Sequence, residues 1–61
     1  MKEHLETWTK LNAFLLTATE ADCKQLLKLE LDNQRRRQFM LRIYSRLNRV
    51  RAARERRELL N

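Results

Sequence analysis

The chain contains no glycine and no proline. Tight turns that require a positive φ draw on glycine or asparagine, so two-residue hairpins, and an all-β fold with them, are not expected. A single cysteine, Cys23, rules out an internal disulfide and suits a reducing compartment. No apolar run approaches the ~20 residues of a membrane-spanning helix. Glu3, His4 and Glu6 interrupt what would be the basic start and apolar stretch of a signal peptide, so a cytoplasmic location is expected. His4 is the only histidine, and with one cysteine no zinc-ligand spacing arises; neither a metal nor a cofactor is expected. At 61 residues the chain makes one small domain. Such a domain buries only about 60% of the surface its unfolded chain exposes and nets about 3–5 kcal/mol of stability. That margin leaves little for a deep catalytic pocket, and the chain reads as a binder rather than an enzyme.

What is present is charge, unevenly placed. The net charge is +6, yet residues 1–34 hold four lysines and six acids, a formal −2. Residues 35–61 hold ten arginines against Glu55 and Glu58, a formal +8, and no arginine precedes Arg35. A two-ended distribution of this kind marks a binding surface rather than general solubilising charge. Arginine is also a specific choice. Its planar guanidinium holds phosphate or carboxylate through paired hydrogen bonds, where lysine offers a point charge.

The remaining residues are mostly good helix formers, and three helices are predicted. The first spans residues 3–16, with Leu5, Trp8, Leu11 and Leu15 at helical spacing and Phe14 widening the stripe. Trp8 and Phe14 are of a type that can stack nucleobases, but at helical spacing with Leu11 and Leu15 they read as core, and Glu3 and Glu6 suit the positive end of the helix dipole. A break follows at residues 17–19, where Thr19 with Asp22 resembles a capping box and Thr17 with Glu20 offers a competing start. The second helix, residues 19–31, presents Cys23, Leu26, Leu27 and Leu31, with Glu20 and Lys24 paired one turn apart. Its apolar face points opposite to that of residues 39–50 on one continuous wheel, so a bend at Asp32–Gln34 lets both face one core. A single continuous helix is the alternative. The third helix, residues 34–60, carries Met40, Ile43, Leu47 and Val50 as a stripe with Phe39 alongside, and its last turns are expected to project beyond the globule. The fold expected is all-α: two short helices packed on a long arginine-rich C-terminal helix.

On that last helix Arg35, Arg42, Arg46, Arg49 and Arg56 fall within an arc of about 80°, beside the Ile43–Leu47–Val50 stripe, and form a ridge of roughly 30 Å. These five are the candidate binding residues. Local pairing is expected between Asp32 and Arg36, Arg51 and Glu55, and Arg54 and Glu58. His4 reads as an exposed first-turn residue and Cys23 as a small core residue. Glu20 and Asp22 suit helix-start electrostatics rather than acid–base catalysis. Tyr44 sits at the edge of the apolar stripe.

Three resemblances arise in the last helix. Arg35-Arg36-Arg37 and Arg54-Glu55-Arg56-Arg57 are similar to the arginine-rich RNA-binding peptides of phage antiterminators, which implies a helix seated in an RNA groove. Asn48-Arg49-Val50-Arg51-Ala52-Ala53-Arg54 resembles a leucine-zipper basic region but departs from it: Arg51 stands at the first alanine position, and Ala52-Ala53 come one residue late. The run from Phe39 to Arg51 (Phe-Met-Leu-Arg-Ile-Tyr-Ser-Arg-Leu-Asn-Arg-Val-Arg) resembles small basic accessory proteins of tailed phages. That resemblance implies a non-enzymatic binder acting in the host cytoplasm, often on host machinery, and supplies no site residues. A helix-turn-helix fits helices 19–31 and 34–60 loosely, without the turn glycine. The function expected is nucleic-acid binding, DNA or RNA, through the arginine ridge. The alternative is a small inhibitor or adaptor docking its basic helix on an acidic surface of a host protein or nucleic-acid-handling complex. A third arrangement is a homo-oligomer held through Leu41, Leu59 and Leu60.

Overall fold

The structure, a computed structural model, describes all of residues 1–61. It contains a short N-terminal 3₁₀ turn (Lys2–Leu5) and three α-helices: α1 (Trp8–Leu15), α2 (Glu20–Asp32) and α3 (Arg37–Leu60). There is no strand. The two short helices pack on the long third one, as predicted from the apolar spacing.

The first predicted helix is broken in two. Thr7 is extended (φ −138°, ψ 159°), and its hydroxyl accepts the Lys10 N–H, so it caps α1 and ends the 3₁₀ turn before it. The break lets Leu5 turn into the core from a separate segment. It also moves Trp8 to the rim: the residue is 46% exposed and its ring meets that of Phe39 edge-on at 5.5 Å, rather than lying in the core. Phe14 is half-buried, and His4, expected to be exposed, stacks on it at 3.9 Å between ring centres.

Helix α2 starts at the Thr19–Asp22 capping box. The Thr19 hydroxyl accepts the Asp22 N–H (3.2 Å), and the Asp22 carboxylate accepts the Thr19 N–H (3.1 Å). Thr17 does not cap. The core face of α2 is Cys23, Leu26 and Glu30, at intervals of three and four. This face is turned away from the one expected: Leu31 is 37% exposed, and Leu27 and Leu29 flank the core.

The bend between α2 and α3 is real, and a continuous helix is not formed. Arg35 turns the chain with φ 51°, the one positive φ in the molecule, and the next helix begins at Arg37. With no glycine available, an arginine takes the left-handed position that glycine ordinarily fills. Glu30 organises this corner. Its carboxylate is 1% exposed and accepts three hydrogen bonds from Arg36, from the backbone N–H (2.7 Å), Nε (2.9 Å) and Nη2 (2.8 Å). Arg36 Nη2 also donates to the Leu5 carbonyl (2.7 Å), and the guanidinium lies 3.5 Å over the Phe39 ring. One side chain thus ties the 3₁₀ turn, the end of α2 and the start of α3 together. The expected Asp32–Arg36 pair does not form.

In α3 the buried residues are Phe39, Ile43 and Leu47, with Met40 and Val50 partly covered. Phe39, Ile43 and Leu47 meet Leu11, Leu15, Cys23 and Leu26 in one core. Contact continues one turn past Val50, because Arg54 Nε reaches the Glu20 carboxylate at 2.9 Å. Beyond Arg54 every residue is exposed. The molecule measures 39 × 20 × 17 Å, its long dimension set by α3.

Candidate nucleic-acid interface

Between Arg37 and Arg54 helix α3 carries no acidic residue. Of the ten arginines in the chain, Arg36 pairs with Glu30, and Arg54 pairs with Glu20 and Glu58; the other eight form no salt bridge. The Arg54–Glu58 pair (3.1 Å) was predicted, whereas the expected Arg51–Glu55 pair is absent. Most of the positive charge is therefore left for solvent or a partner.

The five predicted residues do not all share one ridge. Arg35 lies in the α2–α3 turn, before the helix begins, where its N–H donates to the Glu30 carbonyl at 2.7 Å. The row on α3 runs from Arg42 through Arg46 and Arg49 to Arg56, about 21 Å at 1.5 Å per residue.

Within this row the arginines fall into two pairs. Arg42 and Arg46 are half-buried against α1 and the segment after it. Arg42 Nε donates to Asn12 Oδ1 at 2.6 Å. Arg46 donates from Nε and Nη2 to the Ala18 carbonyl at 3.2 and 3.1 Å. These bonds fix the two guanidinium planes. Both Nη groups of Arg42 and Nη1 of Arg46 form no hydrogen bond within the chain. Arg49 and Arg56 are exposed and form no side-chain hydrogen bond or ion pair.

Arg42, Arg46 and Arg49 converge on a depression of about 390 Å³ whose other walls are Leu15, Leu16 and Ser45. The arrangement offers several fixed N–H donors to one anionic group or to a short run of them. The anchoring residues Asn12 and Ala18 give no sign of their role in the sequence; only the packing of α1 against α3 brings them to the arginines. Tyr44 stands half-exposed on the outer edge of α3, and Leu41, Leu59 and Leu60 are exposed.

Elsewhere Cys23, Glu20 and Glu30 are tied into the fold. Burial pushes the Cys23 thiol up, away from the thiolate. Hydrogen bonds from Arg54 hold the Glu20 carboxyl below the usual carboxylate range, and Arg36 does the same for Glu30 against the opposing effect of burial. No three His, Cys, Asp or Glu side chains gather closely enough to hold a metal ion. No helix is long and apolar enough to cross a membrane. No protein-family model, curated protein or solved structure matches the chain.

Proposed function

We propose that this chain is a non-enzymatic basic binding protein that contacts nucleic acid through Arg42, Arg46, Arg49 and Arg56 on α3. The observation that carries it is a row of four arginines, on a helix face without acids, none of them paired to a carboxylate. An unpaired row of one sign costs self-repulsion, which a polyanionic partner relieves. Two members are already held in place, which lowers the ordering cost of binding. Phosphate contacts dominate such an interface, so affinity falls steeply with salt.

The test uses Arg49 and Arg56, which have no role in packing. Replacing both with glutamine keeps helix propensity nearly unchanged. In titrations of labelled nucleic acid at several salt concentrations, the slope of log affinity against log salt is expected to shrink by roughly 0.7–0.9 for each lost contact. Wild-type binding that is absent, or insensitive to salt, refutes the proposal.

A second reading has its own support. Trp8, Leu16 and Leu41 are exposed beside the arginines, and aromatic residues with arginine are the composition of protein–protein hot spots. A small phage-type inhibitor or adaptor docking on an acidic protein surface would use the same face. A nuclease-resistant, stoichiometric complex with one acidic protein favours this reading over the first.

A further inference from the structure

We infer that the flank of α3 is a trough for single-stranded nucleic acid, with Trp8 as the platform on which a base stacks; this rests on the nucleic-acid reading above and specifies its substrate. The arginine depression is not isolated. It shares Arg42 and Ser45 with a neighbouring hollow that contains Trp8, Gln38 and Leu41. At its other end it shares Arg49 with a hollow formed by Asn48, Ala52, Ala53 and Arg56. The three hollows form one run along α3, from Gln38 to Arg56, about 27 Å at 1.5 Å per residue. Ser45, Ala52 and Ala53 are short, so a chain lying there can approach the helix closely.

Trp8 stands at the start of this run. Its indole is half-exposed, yet its position is set by the edge contact with Phe39. A held, half-open indole next to a row of phosphate-binding arginines is the pairing that single-strand binders use: a basic groove that tracks the backbone, and an aromatic face for the bases. A duplex has no use for the indole, because its bases are already stacked on one another. A single strand supplies a free base at the point where the trough supplies a free ring. The neighbouring Gln38 carries an amide donor and acceptor within the same hollow, suited to the edge of a stacked base.

Trp8 is the only tryptophan in the chain, so its fluorescence reports this contact directly. The full chain is titrated with an oligothymidylate of about ten nucleotides, within the range of single-strand sites. A duplex of equal length and inorganic polyphosphate, an anion without bases, are titrated in parallel. The oligothymidylate is expected to quench Trp8 emission with the same midpoint as the anisotropy of the labelled strand; polyphosphate is expected not to quench. Trp8→Leu keeps an apolar contact with Phe39 but removes the ring. It is expected to weaken single-strand binding by about 5- to 150-fold while leaving duplex affinity and the salt slope unchanged. Trp8→Phe is expected to retain most of the affinity. Circular dichroism shows whether Trp8→Leu is folded, and the wild-type quench decides the question if it is not. Equal binding of single strand and duplex without any quench overturns the stacking site and leaves the arginine interface standing. No binding to either nucleic acid, with tight binding to an acidic protein, overturns both.

Discussion

Replacing Arg36 with alanine tests the corner that sets the angle between α2 and α3. The substitution removes two guanidinium hydrogen bonds to Glu30, one to the Leu5 carbonyl, and the contact over Phe39. It leaves a carboxylate that is 1% exposed with a single backbone N–H as partner. Breaking one side of a buried pair costs about 3–5 kcal/mol. The Arg36 side chain is 27% exposed, so water replaces part of what is lost, and about 2–4 kcal/mol is the better figure. A domain of this size has about 3–5 kcal/mol in all, and loses 4–8 °C of melting temperature per kcal/mol. Arg36→Ala is therefore expected to melt about 10–30 °C lower by circular dichroism, and to be partly unfolded at room temperature. Arg37→Ala, one residue on, exposed and without a carboxylate partner, is the control and should melt within about 2 °C of the wild type. Glu30→Leu combined with Arg36→Leu should recover part of the loss, because no charge then remains buried. Recovery stays partial, since the backbone N–H of residue 36 still lacks its acceptor. If Arg36→Ala melts with the Arg37→Ala control, Glu30 is not held by Arg36, and the corner is organised some other way.

Three further outcomes are expected. Glu30, Glu20 and Glu3 have carboxyl pKa values lowered in the folded chain, by Arg36, Arg54 and the N-terminal ammonium respectively. A lowered carboxyl contributes stability that is present above the unfolded value of about 4.3 and is lost as pH falls through the folded one, so the melting temperature should hold from pH 7 to about 5.5 and drop below about 4.5. Glu30→Gln should flatten that drop, and an acid-insensitive wild type would contradict it. Arg35→Gly should raise the melting temperature: the left-handed backbone costs a non-glycine residue about 1 kcal/mol or more, which exceeds the entropy glycine loses on folding, and no gain in urea or thermal melts would mean that the turn is unstrained. The Cys23 thiol, fully buried and with its pKa raised, should react with a disulfide reagent at pH 8 only as fast as the domain opens, with rapid labelling in denaturant; rapid native labelling would show that α2 does not pack as described.

Much of the architecture is legible in the residues because it follows from period and capping. Ile43, Leu47 and Phe39 repeat at helical spacing and are buried. Thr19 and Asp22 stand three residues apart and form the capping box. The phase conflict between α2 and α3 locates the bend within a few residues. What the pattern does not carry is any feature that depends on two segments meeting. Thr7 lies within a continuous helical pattern from Leu5 to Leu15, and nothing local says that its hydroxyl will cap a new helix and release Trp8 to the rim. Glu30 falls on the same helical face as Cys23 and Leu26, so its burial could be read from phase; a carboxylate on a core face has to find a cation. The nearer-seeming choice, Asp32 with Arg36, assumed one unbroken helix, and the turn at Arg35 removes that geometry.

The same distinction decides which arginines can test the proposed binding. Counting along a wheel weights Arg35, Arg42, Arg46, Arg49 and Arg56 equally. Packing does not. Arg35 is part of a turn, Arg42 and Arg46 are anchored to Asn12 and Ala18, and Arg49 and Arg56 hang free. A variant that removes Arg42 or Arg46 therefore changes two things at once: it takes away a donor to the partner and a bond that helps dock α1 on α3. Loss of binding in such a variant is ambiguous between the two. Arg49→Gln and Arg56→Gln alter only what faces outward, so a change in salt slope there reads phosphate contacts alone. The anchored pair carries a different signature. A guanidinium already fixed against a carbonyl or an amide oxygen loses less freedom when it takes up a phosphate, so Asn12→Ala should free Arg42 and weaken binding; because it also removes a bond that helps dock α1, the loss reads as ordering cost only where circular dichroism shows wild-type melting. Because the charge is unchanged, the salt slope should stay as it is while the affinity falls.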